Sequence, residues 1–439
     1  MTAARTVAVI GGGYAGMAAA VSLAASGISV SVFEAGRVPG GRARRVEHAG
    51  IALDNGLHIL SGAYSETLRL IAQVNPQHAS MLLRVPLAWH MHGAFDMVAP
   101  KLPAPLHLLA ALFTAHGAGI GERLQMARML AALRRRHWRL DRDVSVATLL
   151  EEHVQSAFMQ RVFWRPLCVA ALNTPPELAS AQIFLNVLRD TLNAQREASD
   201  LLLARVDLSA LFPEPAAAFI TQHGGSVHLE TRITAIAVNG DGCTLTAGGR
   251  THTFDHVVCA LPPHQVGSFI ADLPALAGTV ALLEKFSYQP IYSVWLQYTA
   301  PVTLPSPMLG FADGPLHWLF DRGALCGQRG LIGAVISAEG KHQSLTQDEL
   351  GTLAQSEITR RLGPLPDLQW LRVIAEKRAT FACTPDLQRP SHKTPLERFW
   401  LAGDYTASDY PATIEAAVRS GVACAHGIAG VPCIAGATV

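Results

Sequence analysis

The chain has 439 residues, 49% hydrophobic and only 16% charged, with a formal net charge of +1. That length exceeds what one hydrophobic core usually fills, so two spatial domains are expected. The near-neutral balance excludes a general nucleic-acid footprint, and no stretch of about 20 apolar residues is present to form a transmembrane helix.

Thr6–Ile10 is a short β-branched run that reads as a buried parallel strand. It leads into Gly11-Gly12-Gly13-Tyr14-Ala15-Gly16, a helical pattern to Ser26, and a second apolar strand ending at Glu34. This is a complete βαβ unit. Gly11 suits the tight turn, Gly13 lets backbone approach a pyrophosphate, and Gly16 lets the helix pack closely on the sheet. The helix N-terminus offers free N–H groups to the phosphates. Glu34 stands where a carboxylate accepts hydrogen bonds from an adenosine ribose, with Ala35 beside it.

Further along, Leu53 to Tyr64 reads LDNGLHILSGAY. Asp54-Asn55-Gly56 is a turn signal, and Asp54 and His58 lie four residues apart. Residues from about Pro86 to Phe219 are rich in helical patterns. Within them an apolar run, Leu106–Leu112, precedes Arg123, Arg128, Arg134, Arg135, Arg136, Arg139 and Arg142. Two readings of this segment stay open: an interfacial amphipathic element on anionic lipid, or a helix with a solvated arginine face. Strands are expected over Ser226–Thr231, Arg232–Val238 and Thr253–Ala260. Residues from about Gln289 to Phe381 alternate strands with a helix near Gln347–Leu362. Finally, Trp400–Asp404 is an apolar strand ending in Gly-Asp, and a helix is expected from about Ala412 to His426. Seven cysteines, Cys168, Cys243, Cys259, Cys326, Cys383, Cys424 and Cys433, form no CxxC pair. They read as reduced thiols in a cytosolic protein, without a metal site.

Pro39-Gly40-Gly41-Arg42 resembles the GG(R/K) continuation of the flavin amine oxidase and phytoene desaturase superfamily. The resemblance implies FAD as cofactor, with Gly41 and Arg42 at its phosphates and the backbone near Ile233 at adenine. It also implies Gly403-Asp404 at the ribityl chain, and Thr413-Ile414 at the flavin ring, where a helix N-terminus favours negative charge. The DNGLH-x-x-x-GAY block, Ala402–Thr406, Pro411–Glu415 and Arg419–Gly421 resemble hydroxysqualene dehydroxylases of hopanoid biosynthesis across essentially the whole chain. Leu57 departs from that family, which often has Gln there.

The fold expected is α/β: a discontinuous, glutathione-reductase-like Rossmann FAD domain (1–85, 220–288, 382–439) with an inserted α+β substrate domain (86–219, 289–381). The reaction implied is dehydroxylation of a C30 isoprenoid alcohol, hydroxysqualene, to squalene, with hydride from reduced FAD. His58 and Asp54 are candidate catalytic residues, His58 as proton donor, with Tyr405, Asp409 and Tyr410 as rivals. The alternatives are a desaturase, an amine-oxidase-like enzyme, or a non-catalytic prenyl-binding escort. The intact glycines, Glu34, Arg42 and Asp404 weigh against the escort. No second GxGxxG marks an NADPH site, so the electron donor, NADPH or a reductase, stays open. The expected location is cytoplasmic, peripheral on the inner face of a membrane through residues 106–142.

Overall fold

Five parallel strands organise the cofactor half, in the spatial order Ser226–His228, Ser29–Phe33, Thr6–Ile10, His256–Cys259 and Phe399–Leu401. The computed structural model describes residues 5–192, 195–240 and 242–430. The helix Tyr14–Ala25 crosses from the first strand to the second as the βαβ pattern requires. It packs on the C-terminal helix Ile414–Ala429, where a Cβ on Gly421 would stand 2.2 Å from the Ala15 carbonyl oxygen. The first and last described helices therefore meet in one apolar core.

Two details differ from the sequence expectation. Thr253–Ala260 is two strands. Arg250–Phe254 closes a three-stranded antiparallel sheet, while His256–Cys259 joins the parallel one. Asp255 makes the switch, its carboxylate accepting from the Thr6 amide at 2.7 Å. Secondly, Leu208, Leu211, Phe212 and Ala216, assigned from sequence to the substrate half, pack in the cofactor core. The Phe212 ring lies 5.3 Å from that of Tyr14.

Above this base lies a mixed seven-stranded sheet. Its order is Leu368–Phe381, Tyr288–Tyr298, Leu331–Ser337, Trp318–Asp321, Met308–Gly310, Ala88–Met91 and Phe95–Val98. The helix Gln347–Leu362 covers one face through Leu350, Ala354 and Ile358. A helical layer from Leu106 to Leu192 packs against the strand pair 88–98 and the Trp318 strand through Trp89, Phe163 and Trp164. A three-stranded sheet, Ile59–Ser61, Leu201–Ala204 and Leu82–Val85, ties the halves together. Cys168, Cys243, Cys259, Cys383 and Cys424 are buried, in keeping with small apolar side chains, and Cys433 lies outside the described residues. No described helix is long and apolar enough to cross a membrane.

Candidate active site

The glycine turn has the geometry a dinucleotide needs. A Cβ on Gly16 would stand 1.9 Å from the Gly11 carbonyl oxygen, so no other residue fits there. Gly13 ends the turn and caps the Tyr14–Ala25 helix without a side chain, leaving the first-turn N–H groups open to a ligand. Glu34 braces the loop: its carboxylate accepts from the Gly12 amide at 2.7 Å and the Gly36 amide at 2.6 Å. Ala35 is exposed between them. The segment that carries Ile233 runs alongside, with the Thr231 amide on the Glu34 carbonyl at 2.8 Å.

Arg42 and Asp404, far apart in sequence, meet at 2.7 Å. The arginine follows Gly41, whose Cα lies against Gly13, and the aspartate follows the parallel strand Phe399–Leu401. Beside them is Tyr405, fully buried, its hydroxyl without a partner among the described residues. An orphaned buried donor next to a glycine-lined turn and an Arg–Asp pair is what a site built around a polar cofactor leaves when only protein atoms are counted. Burial holds the Tyr405 phenol well above its ordinary pKa. Thr413 caps the C-terminal helix, accepting from the Ala416 amide at 3.2 Å.

The residues expected to catalyse are placed separately. Asp54 is buried, with one oxygen accepting from the Leu208 amide at 2.8 Å and the other 3.7 Å from the equally buried Arg322. Leu208 in turn accepts from the Tyr14 hydroxyl at 2.8 Å, so Asp54 ties the DNG strand to the opening helix. His58 is half-buried, its Nδ1 2.7 Å from the Gly56 carbonyl oxygen. Nδ1 must therefore carry the hydrogen, which leaves Nε2 as an acceptor. Burial, against the pull of the Gly56 carbonyl, lowers the His58 pKa and keeps the ring neutral. Asp54 and His58 share no hydrogen bond. Arg45 is held by Glu214 at 2.6 Å and by Asp207, and Leu57 packs against Gly333.

Burial pushes the Asp54 carboxyl up to about 6, although Arg322 and the Leu208 amide pull it down. The folded value lies above the unfolded one of about 4. The protonated form thus stabilises the fold fully below pH ~4, and that contribution is lost as pH rises through about 6. Relative to Asp54→Asn, the parent should lose about 2 kcal/mol of unfolding free energy between pH ~4 and ~7. A pH-independent difference in denaturant unfolding would contradict this.

Next to the C-terminal helix lies a cavity of about 370 Å³, within the range of small-molecule sites. Its wall is almost entirely apolar, built from residues such as Trp89, Met126, Trp138, Phe163, Leu188 and Trp318. Its lining also includes Tyr64, Asp190, Tyr410, Pro411 and Thr413, together with the exposed Leu109 and Arg134. Asp54, His58 and Tyr405 do not line it. Asp409 is exposed, with its backbone carbonyl accepting from Asn186 at 3.0 Å. Asp190 is the residue the sequence reading missed. It sits inside the amphipathic helix Ala181–Leu192 with no motif around it.

A Rossmann base with a glycine cradle, an Arg–Asp pair joining its two ends and a roofed apolar cavity defines an oxidoreductase of the dinucleotide-binding flavoprotein class. The chain belongs to the flavin containing amine oxidoreductase family, whose model matches residues 14–429. FAD is its cofactor. The chain is 30% identical to the hydroxysqualene dehydroxylase of Rhodopseudomonas palustris over 434 residues, covering 95% of this chain and 96% of that one. It is 24% identical to the 15-cis-phytoene desaturase of Synechococcus elongatus, covering 96% and 95%. An oxidoreductase structure from Methanosarcina mazei superposes with a TM-score of 0.73 at 13% identity, over 95% of this chain and 99% of that one, a likeness of fold.

Proposed function

We propose that this chain removes the hydroxyl of hydroxysqualene reductively, giving squalene. The observation that carries the reading is the cavity: its wall is almost entirely apolar, with Asp190, Tyr410 and Thr413 among its few polar groups. An isoprenoid chain fits such a wall and places its oxygen beside those polar groups. Bound FAD, once reduced, supplies the hydride. In this reading FAD lies across Gly11–Gly16, with Glu34 at the adenosine ribose and the backbone by Ile233 at adenine. Gly41 and Arg42 hold the phosphates, Gly403 and Asp404 the ribityl chain, and the first turn after Thr413 the ring. The hydroxyl leaves as water and takes one proton with it; His58, expected from sequence to give that proton, is held with Nδ1 on the Gly56 carbonyl and does not line the cavity, so in this reading solvent supplies it. Anaerobic, photoreduced protein mixed with hydroxysqualene should reoxidise and yield squalene. The phytoene desaturase likeness supports the second reading, since the fold does not fix the direction of hydride transfer. Bleaching of the oxidised flavin by polyenes or amines, with no reoxidation by hydroxysqualene, would replace the first reading by the second.

We further propose that the cavity is loaded from an anionic membrane surface. Leu102, Leu106, Leu109, Phe113, Ile120 and Leu124 are all exposed, Ile120 at 73%. Leu109 belongs to both this patch and the cavity wall. Arg128, Arg134, Arg135 and Arg139 are exposed nearby. An apolar patch rimmed by cations matches an anionic lipid surface. Each basic residue near such a surface contributes about 1 kcal/mol. Replacing Arg134, Arg135 and Arg136 by Ser should therefore release the protein from anionic liposomes, as should salt. Equal sedimentation of variant and parent, or of neither, would remove the idea.

A further inference from the structure

We propose that Asp190 and Tyr410 form the hydroxyl anchor of the cavity, the pair that takes the substrate's oxygen and makes the site select an alcohol over the hydrocarbon it becomes. This rests on the dehydroxylation reading above and deepens it.

The pair is built across two elements. Asp190 stands near the end of the helix Ala181–Leu192, and Tyr410 on the loop ahead of the helix Ile414–Ala429. The Tyr410 hydroxyl donates to Asp190 Oδ2 at 2.6 Å, while Arg189 Nε donates to Oδ1 at 2.6 Å. Asn186, one turn back on the same helix, donates to the Asp409 carbonyl at 3.0 Å and so fixes the loop. The Arg419 guanidinium lies 4.9 Å from the centre of the Tyr410 ring and is held by Glu415 at 2.7 Å. The phenol thus has little freedom to turn away.

Most of the other polar side chains at this wall are committed to the protein; the exceptions are the exposed Arg134 and Trp138, whose buried indole N–H has no partner among the described residues. Ser61 donates to the Ala198 carbonyl, Thr191 to that of Val187, Ser199 to that of Arg196. Thr413 caps its helix, and Tyr64 is hydrogen-bonded to Thr413. Asp190 and Tyr410 differ in what they have left. A carboxylate offers about four accepting positions, and two are used; a phenol that gives away its one hydrogen keeps its lone pairs. The pair therefore presents spare acceptors, and no spare donor, to an apolar space. A substrate hydroxyl donating there satisfies them. A hydrocarbon leaves them dry and unmet, which is the arrangement that discriminates most strongly against an analogue lacking the polar group. Once the oxygen has departed, the same mismatch loosens the product.

The test uses FAD-loaded, oxidised protein in detergent micelles, titrated with hydroxysqualene and with squalene and followed by the visible flavin spectrum. No turnover occurs in this state. The parent should bind the alcohol about 10- to 100-fold more tightly than the hydrocarbon, the span of one hydrogen bond to a charged group. Tyr410→Phe and Asp190→Asn should each bring the two affinities within about threefold of one another while the squalene affinity holds. Asp190→Glu should restore part of the preference. A parent without preference, or a preference that survives both substitutions, overturns the anchor. If the parent reoxidises with hydroxysqualene while the preference survives both substitutions, the anchor alone fails. If the preference collapses as expected but the reduced parent is not reoxidised by hydroxysqualene, the dehydroxylation reading alone fails.

Discussion

Gly13→Val protein is expected to purify folded and almost colourless. Gly13 has extended backbone, φ −74° and ψ 178°, a conformation that a β-branched residue adopts readily. A Cβ there would meet only Gly41, its Cα at 3.7 Å and its N at 4.0 Å, ordinary contacts. The fold therefore tolerates the side chain. The cofactor does not, because the two added methyl groups stand over the helix N-terminus where the phosphates must approach backbone N–H groups. Losing that approach should reduce flavin affinity more than tenfold, a change above about 1.4 kcal/mol. Gly16→Ala is the contrasting control. Its Cβ would lie 1.9 Å from the Gly11 carbonyl oxygen, so this smaller change should cost the fold itself. The measurements are the ratio of visible to protein absorbance, and circular dichroism for folding. A Gly13→Val protein with normal flavin occupancy would show that the pyrophosphate lies elsewhere.

That contrast marks what a sequence can carry. The opening βαβ unit was legible because all its determinants are local: an apolar strand, glycines at fixed offsets, a helix, a second strand and Glu34. The C-terminal Gly-Asp and the helix after it were legible by resemblance. The 2.7 Å meeting of Arg42 with Asp404 was not visible as a contact, since nothing in either segment's periodicity encodes a partner so far along the chain. Asp54 shows the same limit. Its spacing from His58 suggested a shared task, but the side-chain direction is set by Leu208 and Arg322, both remote in sequence. Asp190 carried no signal at all. A single acid in an amphipathic helix looks like a solvated residue until the fold brings the Tyr410 hydroxyl to it. Which core residues 208–222 enter was not legible for a related reason. Leu208–Leu211 and the helix Pro213–Gln222 are as apolar as the helices before them, and only the Tyr14–Phe212 contact reveals which core they enter.

Glu415→Ala should be among the most destabilising single changes in the chain. As sequence, Glu415 is an ordinary first-turn acid on the C-terminal helix. In the fold it is completely buried and serves a different helix. Its carboxylate accepts from the Glu66 amide at 3.1 Å, the Thr67 amide at 2.9 Å and the Thr67 hydroxyl at 2.7 Å. It therefore supplies the cap that Tyr64, at the start of the helix Ser65–Val74, has no group to make. On its other side it holds Arg419 Nε at 2.7 Å. Truncation leaves two amide donors and a hydroxyl unpaired in the interior, and frees a guanidinium whose side chain is one-third exposed. Breaking a buried charged pair in this way costs about 3–5 kcal/mol, and the partial exposure of Arg419 places the expectation near the lower figure. Glu415→Gln keeps an acceptor of the same shape and should recover part of the loss. Because Arg419 Nη2 also donates to Ser65 Oγ at 2.8 Å, the two helix starts loosen together. Flavin retention should then fall with the melting temperature, unlike Gly13→Val, where it falls alone. Thermal melts with flavin release followed in parallel distinguish the two, and an unchanged melting temperature for Glu415→Ala would sink the proposed capping role.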